Sequence, residues 1–585
     1  MIALNRKMMI FGVLIVAFVI ASTSLIAQGS ESDGNIGDSF TDGSLNYEII
    51  LDTPATVRVT GLNDQTITDL DIPSTVSYNS KTYMVVEIAR EAFKKCTGLT
   101  SVIISENITS IGVMAFDGCR NVSTLYFNPV SCSASGEPFS GLGTTSGLSV
   151  KIGQNVTKIP SNLFSGSKAI SNIVFGSSVM SIGDRAFYNC SNLTVADFSG
   201  ATDLKSIGTS AFSGCSSLKD VELSKSPITS IGDYAFYRCY SFTSVSLGSS
   251  ITYLGTDCFD ECIKVSSISY DVPKLNDPKG SIFSDVGRSA DSTNVVFGPN
   301  VLEIPRSIFH NGMSDNNIRS VTFSEGIKTI GEYAFYRCVK ITSISLPDSI
   351  VTIGERAFSN CTGLTEITIP ENVERIEINA FSNCYKVHTI HYNAKNAQSS
   401  YPFISDSVAK RTLIFGDSVE KIPAGAFDSY RNWVVTCSIS ASVKEIASKA
   451  FDGCYGITTM TILGAPKLGD GCLSLSYRIG LSAQNANCTI YSMFDEEYLN
   501  RYADSNTNLN AIVLPHVELD LDGVELTTVL NNPFLPCEMD PYRQLIFRRS
   551  ALARFRQPLY DKNIYISLKS HNIYFLLYYL YIELL

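Results

Sequence analysis

Tryptophan occurs once in this 585-residue chain and histidine five times. Charged residues are sparse, at 17% of the whole. The 45 Lys and Arg are outnumbered by 56 Asp and Glu, giving a net charge of −11, and no basic stripe runs through the body of the chain. That balance argues against nucleic acid as a partner, because neutralising phosphates needs clustered cations. No Gly-rich phosphate loop, nucleophile elbow or His-Glu-x-x-His segment is present. Catalysis needs a nucleophile and a base held together, and nothing here supplies that pairing. The chain therefore reads as a non-enzyme with no cofactor. Metal ligation is equally thin. The 16 cysteines contain no C-x-x-C pair, which removes the common zinc spacing. His388 and His391 stand three apart, which on a strand points them to opposite faces. Asp520, Asp522 and Gly523 echo a calcium loop without its downstream ligands. No metal site is expected.

Long apolar runs are also missing. The longest at the N-terminus, Met8 to Ile20, is too short for a comfortable membrane span. It follows Arg6 and Lys7 and leads to small residues ending at Ala27. Residues 1–27 thus read as a secretory signal peptide, with an uncleaved anchor as the alternative. Residues 28–46, rich in Ser, Gly and Asp, read as a linker. The other end is atypical. Residues 541–585 hold no glycine and five arginines, and close on the Tyr/Leu-rich Ile573 to Leu585. The tail 531–585 is read as a disordered or frame-shifted end, with a membrane-surface segment as the alternative.

What is abundant is phenylalanine, and it is periodic. Phe93, Phe116, Phe139, Phe164, Phe187, Phe212, Phe236, Phe259, Phe283, Phe309, Phe335, Phe358, Phe381, Phe403, Phe427 and Phe451 are separated by gaps of 22 to 26 residues. Such a fixed period marks a repeat architecture. The unit is clearest from Leu99 to Cys119, with apolar residues at Leu99, Val102, Ile104, Ile108, Ile111, Ala115 and Phe116. Val102 and Ile104 are two apart, so on a strand they share a face. One coil cannot bury that face alone; stacked coils bury a continuous core. At a strand spacing of about 4.8 Å, some sixteen coils make a rod of roughly 70 to 80 Å. The Ala-Phe-x-x-Cys end of the unit reads as a tight or helical return turn.

The unit Ile341 to Cys361, ITSISLPDSIVTIGERAFSNC, resembles the BspA-like class of leucine-rich repeats. The Ser-Ile-Gly-x-x-Ala-Phe-x-x-Cys segment at Ser181 to Cys190, Ser206 to Cys215 and Ser230 to Cys239 carries the resemblance, with Ile369-Pro370 before a turn. It spans about residues 66 to 475. The resemblance implies a right-handed leucine-rich-repeat solenoid with a parallel β-sheet, secreted or on the cell surface, with adhesive or protein-binding roles. About 16 coils are expected over 89–475. End caps are expected over 47–88, where Tyr78 to Lys81 reads as a hairpin turn, and over 476–530.

Three departures break the monotony. Tyr126-Phe127-Asn128, Ile268 to Asp271 and Ile390 to Asn393 each open a coil lacking a cysteine three residues after its Phe, at Phe139, Phe283 and Phe403. Each precedes a coil of the type Val296 to Pro305 or Ile414 to Pro423. A higher-order duplication is the expected cause, with these coils longer and bulging from the rod.

Cys96, Cys119, Cys190, Cys215, Cys239, Cys262, Cys338, Cys361, Cys384 and Cys454 follow their Phe by three residues. Stacking puts them in one column with parallel side chains. That suits buried thiols and not bridges, which need converging Cβ atoms. The functional candidates are the residues between the two inward positions of each strand: Ile103, Tyr126, Glu222, Ser246, Ser345, Thr368 and His391. They vary from coil to coil, as a ligand-reading face would, and unconstrained solvent exposure explains the variation equally well. The expected partner is an extracellular protein or glycan, with attachment to membrane or cell wall. A self-associating surface-layer scaffold is the alternative.

Overall fold

The structure is a computed structural model. It describes residues 35–513 apart from 135, 145–146, 225, 277–279, 311–316, 396–397, 400–409, 426, 428–433, 480–481 and 485, and beyond 513 only the backbone of four short strands. The leader expected over 1–27, Phe403, and most of the tail lie outside the described residues.

The chain is a parallel-strand β-solenoid of about 17 turns with almost no helix. Two short strands recur in most coils. The first, such as Ser101–Ile104 and Thr124–Phe127, pairs in parallel with its neighbours to build the main sheet. Its alternation follows the pleat: Val102 and Ile104 are fully buried and Ile103 is half-buried. The second strand is a two-residue Ser-Ile or similar pair, as at Ser181–Ile182, Ser206–Ile207 and Ser230–Ile231. The glycine after it is required by close approach. A Cβ on Gly112 would lie 2.4 Å from Arg90 N, and one on Gly232 would lie 2.6 Å from Thr209 N.

The return turn is not helical. Ala115 N donates to Gly112 O, Asp117 N to Met114 O and Cys119 N to Phe116 O, all three-residue closures. Met114 (φ 51) and Gly118 (φ 78) sit in the left-handed region, so the helix cannot propagate. The amides between them bond across coils instead: Phe93 N donates to Ala115 O at 2.8 Å and Phe187 N to Ala211 O at 2.8 Å. These bonds hold each Phe in register with the next. From Phe93 to Phe381 the rings follow one another with centroids 5.0 to 5.6 Å apart. Every described ring of this column is buried. Full burial of such a side chain contributes about 1.5–3 kcal/mol, repeated once per coil.

The main sheet comes in three segments: six strands from Asp69–Ile72 to Val195–Asp197, five from Asp220–Glu222 to Ile318–Phe323, and seven from Glu366–Ile369 to Thr507–Val513. The three unusual coils leave a repeated mark. A register shift follows each of them, at Leu148/Ser149, Thr293/Asn294 and Arg411/Thr412. An extra residue on one partner strand is the usual cause of such a bulge. The stretches expected to bulge lie partly outside the described residues. Ser133–Ala134 and Gln398–Ser399, in the first and third of these coils, pair in register with Ser110–Ile111 and Arg375–Ile376 and keep to the rod.

The ends differ from expectation in two respects. The linker expected over 28–46 stops earlier, because Ser39–Asp42 pairs antiparallel with the strand Leu45–Asp52. Phe40 anchors it, stacked on Tyr78 at 4.3 Å and on Tyr47 at 5.3 Å. Asn79 and Ser80 form the expected hairpin turn, both with positive φ. At the far end, Ala486–Ser492 and Thr507–Val513 continue the main sheet in parallel, which adds to the sixteen coils marked by Phe. The helix Glu496–Asn500 between them starts at Asp495, whose Oδ1 accepts from Tyr498 N at 2.7 Å. His516–Glu518, Cys537–Met539, Leu545–Phe547 and Ile564–Ser567 form a separate four-stranded sheet.

Candidate binding face

The sequence-predicted column falls into three places, one per segment of the main sheet. Ile103 and Tyr126 are register partners in the first, Glu222 and Ser246 in the second, Thr368 and His391 in the third. All six lie on strands. Ile103, Tyr126, Ser246, Thr368 and His391 are half-buried or exposed between buried neighbours, whereas the side chain of Glu222 lies outside the described residues. Ser345 is a correction. It is exposed, but residues 341–346 form no strand, because main-sheet pairing lapses between Ile318–Phe323 and Glu366–Ile369. Val321, Phe323 and Ile344 are only partly buried at this gap.

Register reveals residues that the spacing did not. In the first segment the outward column runs Asp71, Ile103, Tyr126, Lys151, Val174, Asp197. Lys151 Nζ sits 4.8 Å from the centre of the Tyr126 ring and 3.2 Å from its hydroxyl. This cation–π contact contributes on the order of 0.5–1 kcal/mol at an exposed site. Val174 is 37% exposed and Val195, in the neighbouring outward column, 50%. In the second segment Val296 follows Ser269 outward and is 45% exposed. In the third, His391 Nε2 lies 3.2 Å from Glu366 Oε1. Beyond it come Ile414, Ser438, Thr461, Tyr491 and Ile512. The face thus mixes aromatic, aliphatic and charged groups over a hydroxyl-rich ground.

The opposite chemistry holds inside. The described cysteines form no disulfide, and those of the column are buried except Cys96, which is half-buried. Their thiols have a defined job. Cys119 Sγ donates to Phe93 O at 2.9 Å, Cys190 Sγ to Phe164 O at 3.1 Å and Cys361 Sγ to Phe335 O at 3.1 Å. Each thiol therefore ties its coil to the preceding Phe. Burial pushes the thiols of Cys215, Cys239 and Cys361 far above the ordinary range. A buried thiol so held is a poor nucleophile. Among the described residues, no group of three or more His, Cys, Asp or Glu is arranged to hold a metal.

One turn-side cluster has its own electrostatics. Asp260 is pushed up to about 7 by burial, despite accepting from Glu261 N at 2.7 Å, with Asp257, Asp285 and Glu261 adding repulsion. Tyr237 and Tyr240 donate to Glu261, and Arg238 pairs with it at 3.1 Å. The cluster is structural cross-bracing between neighbouring coils.

The family model for the BspA type leucine rich repeat region matches in overlapping stretches, residues 86–202, 139–266, 195–314, 281–406 and 399–517. No curated protein matches. Among solved structures, a leucine-rich repeat protein from Bacteroides ovatus is similar at 19% identity, covering 81% of this chain and 99% of its own, with a TM-score of 0.32. A leucine rich cell surface protein from Faecalibacterium prausnitzii is 22% identical over 66% of this chain and 90% of its own, with a TM-score of 0.31. The pneumococcal vaccine antigen PcpA is 18% identical over 82% and 100%, with a TM-score of 0.29.

Proposed function

This chain belongs to the BspA-type leucine-rich-repeat family, and from that premise we propose that it is a surface-displayed recognition protein that binds an extracellular protein through the outward face of its main sheet. One observation carries the reading. The inward positions repeat the same few aliphatic and aromatic residues, while the outward column changes at every coil, from Ile103 to Tyr126, Lys151, Val174 and Asp197. Packing explains the inward monotony; a face with a half-buried Tyr, an exposed Val and a paired Lys has the composition of a contact surface. Solenoids of this family are typically non-enzymatic binding proteins, and the reading assigns no catalytic residue. The basic start and short apolar run of residues 6–20 support placement outside the cell.

The test is a binding measurement on the purified chain with proteins of the surrounding matrix or of neighbouring cells. Saturable binding that falls at least tenfold in Tyr126→Ala and Lys151→Ala, with an unchanged melting curve, supports it. Concentration-dependent self-assembly with no foreign ligand would put the surface-layer scaffold in its place. Protease shaving of intact cells checks the location: loss of the chain without lysis is expected.

A further inference from the structure

The third segment of the main sheet carries a feature absent from the other two. Thr389, Thr412, Thr436, Thr459 and Thr489 are consecutive register partners, one per coil. All five are half-buried on the outward side. At a strand spacing of about 4.8 Å the row extends about 19 Å. Asn510 continues it.

Thr389 Oγ1 lies 3.0 Å from His388 Nδ1; the other four hydroxyls are not used by the fold. Ser and Thr one place before the outward column donate to the preceding coil's backbone: Thr365 to Thr342 O at 3.3 Å, Thr458 to Val435 O at 3.4 Å, Thr194 to Ser171 O at 2.8 Å. In the first segment Ser101 is tied to Asp69 at 2.6 Å, and in the second Ser320 to Asn294 at 2.9 Å. By contrast Thr412, Thr436, Thr459 and Thr489 have no protein hydrogen-bond partner for their side chains among the described residues. A row of four equally spaced hydroxyls is thus left for something outside the chain.

Charge and shape narrow what that is. From Thr412 to Asn510 the two outward columns hold Thr, Ile, Ser, Tyr and Asn, with no acidic or basic residue. The second column is uneven: Ser438, only 7% exposed, is sunk between Ile414 and Thr461, and Tyr491 follows. A flat crystalline surface such as ice needs two level rows, and this is a trough beside one row. A neutral chain with a hydroxylated unit repeating near the strand spacing fits both. An extended β-linked polysaccharide has that repeat, and its ring faces can rest on Ile414 and Tyr491.

We propose that the Thr412–Thr436–Thr459–Thr489 row binds a neutral linear polysaccharide laid along the rod axis, about one sugar per coil. The site is separate from the Tyr126 and Lys151 face and does not depend on protein recognition there.

Calorimetric titration of the purified chain with cello-, chito-, manno- and xylo-hexaose tests it. At least one should bind saturably, with affinity rising from trimer to pentamer and then levelling. The triple variant Thr412→Val, Thr436→Val, Thr459→Val keeps the β-branched shape and should weaken binding at least tenfold with an unchanged melting curve. Thr436→Ser should retain binding, as should Tyr126→Ala. Absence of binding by all four at millimolar concentration would overturn the proposal. So would equal binding by the triple Val variant, or ice shaping without sugar binding.

Discussion

The ring of Phe335 lies over that of Phe358 with centroids 5.1 Å apart and planes 2° from parallel. The same offset continues to Phe381 at 5.2 Å. Phe358 is fully buried and has no room to be replaced from either side. Truncation there opens a cavity between two rings. Phe358→Ala should cost about 3–5 kcal/mol, and Phe358→Leu clearly less. Urea unfolding followed by circular dichroism reads the difference. Equal midpoints for wild type and Phe358→Ala would show that the stack contributes nothing.

The thiol column sets the chain's cysteine reactivity. Cys119, Cys190, Cys215, Cys239, Cys361, Cys384 and Cys454 are buried and form no disulfide, and Cys119, Cys361 and Cys454 donate to a Phe carbonyl at 2.9 to 3.1 Å. Native protein should therefore react slowly with Ellman's reagent. Half-buried Cys96 should lead, and the full complement should appear only in denaturant. Fast native labelling of the whole column would contradict the packing.

Asp260 gives a pH signature. Its carboxyl is pushed from 3.8 to about 7, chiefly by burial. A raised folded-state value means that the folded chain holds this proton more tightly than the unfolded chain. Its stabilising contribution is complete below about pH 4 and is lost as pH rises towards about 7. Asp260→Asn should flatten that part of the profile, so the variant gains on wild type between pH 4.5 and 8. Amide exchange of Asp257 to Cys262 measures it locally. An unchanged slope would remove Asp260 as the cause.

The spine was legible in the sequence because a stack in register demands one ring per coil, and the series from Phe93 to Phe451 marks the coils ahead of Ala486–Ser492. The inward pair Val102 and Ile104 was legible from the pleat alone. Other features needed coordinates. Tyr126 and Lys151 are 25 residues apart, and only the register shows them as neighbours. Ser345 follows the strand pattern perfectly yet lies off any strand, because loss of pairing leaves no local trace. Met114 adopts φ 51 with no glycine to announce it. Phe40 sat in a Ser-, Gly- and Asp-rich run whose composition concealed its burial. The threonine row was hidden because Ser and Thr are common throughout, and only the hydrogen-bond partners separate the structural hydroxyls from the free ones.

Site-specific photo-crosslinking tests the recognition role most directly. A benzophenone side chain is placed at Tyr126, at His391 and, as a control off the sheet face, at exposed Met180. Each variant is irradiated with the extracellular material that the wild type binds. The expected result is a discrete adduct from position 126 or 391 and none from 180. Adducts from 180 alone would place recognition elsewhere on the rod and contradict the sheet face as the reading surface.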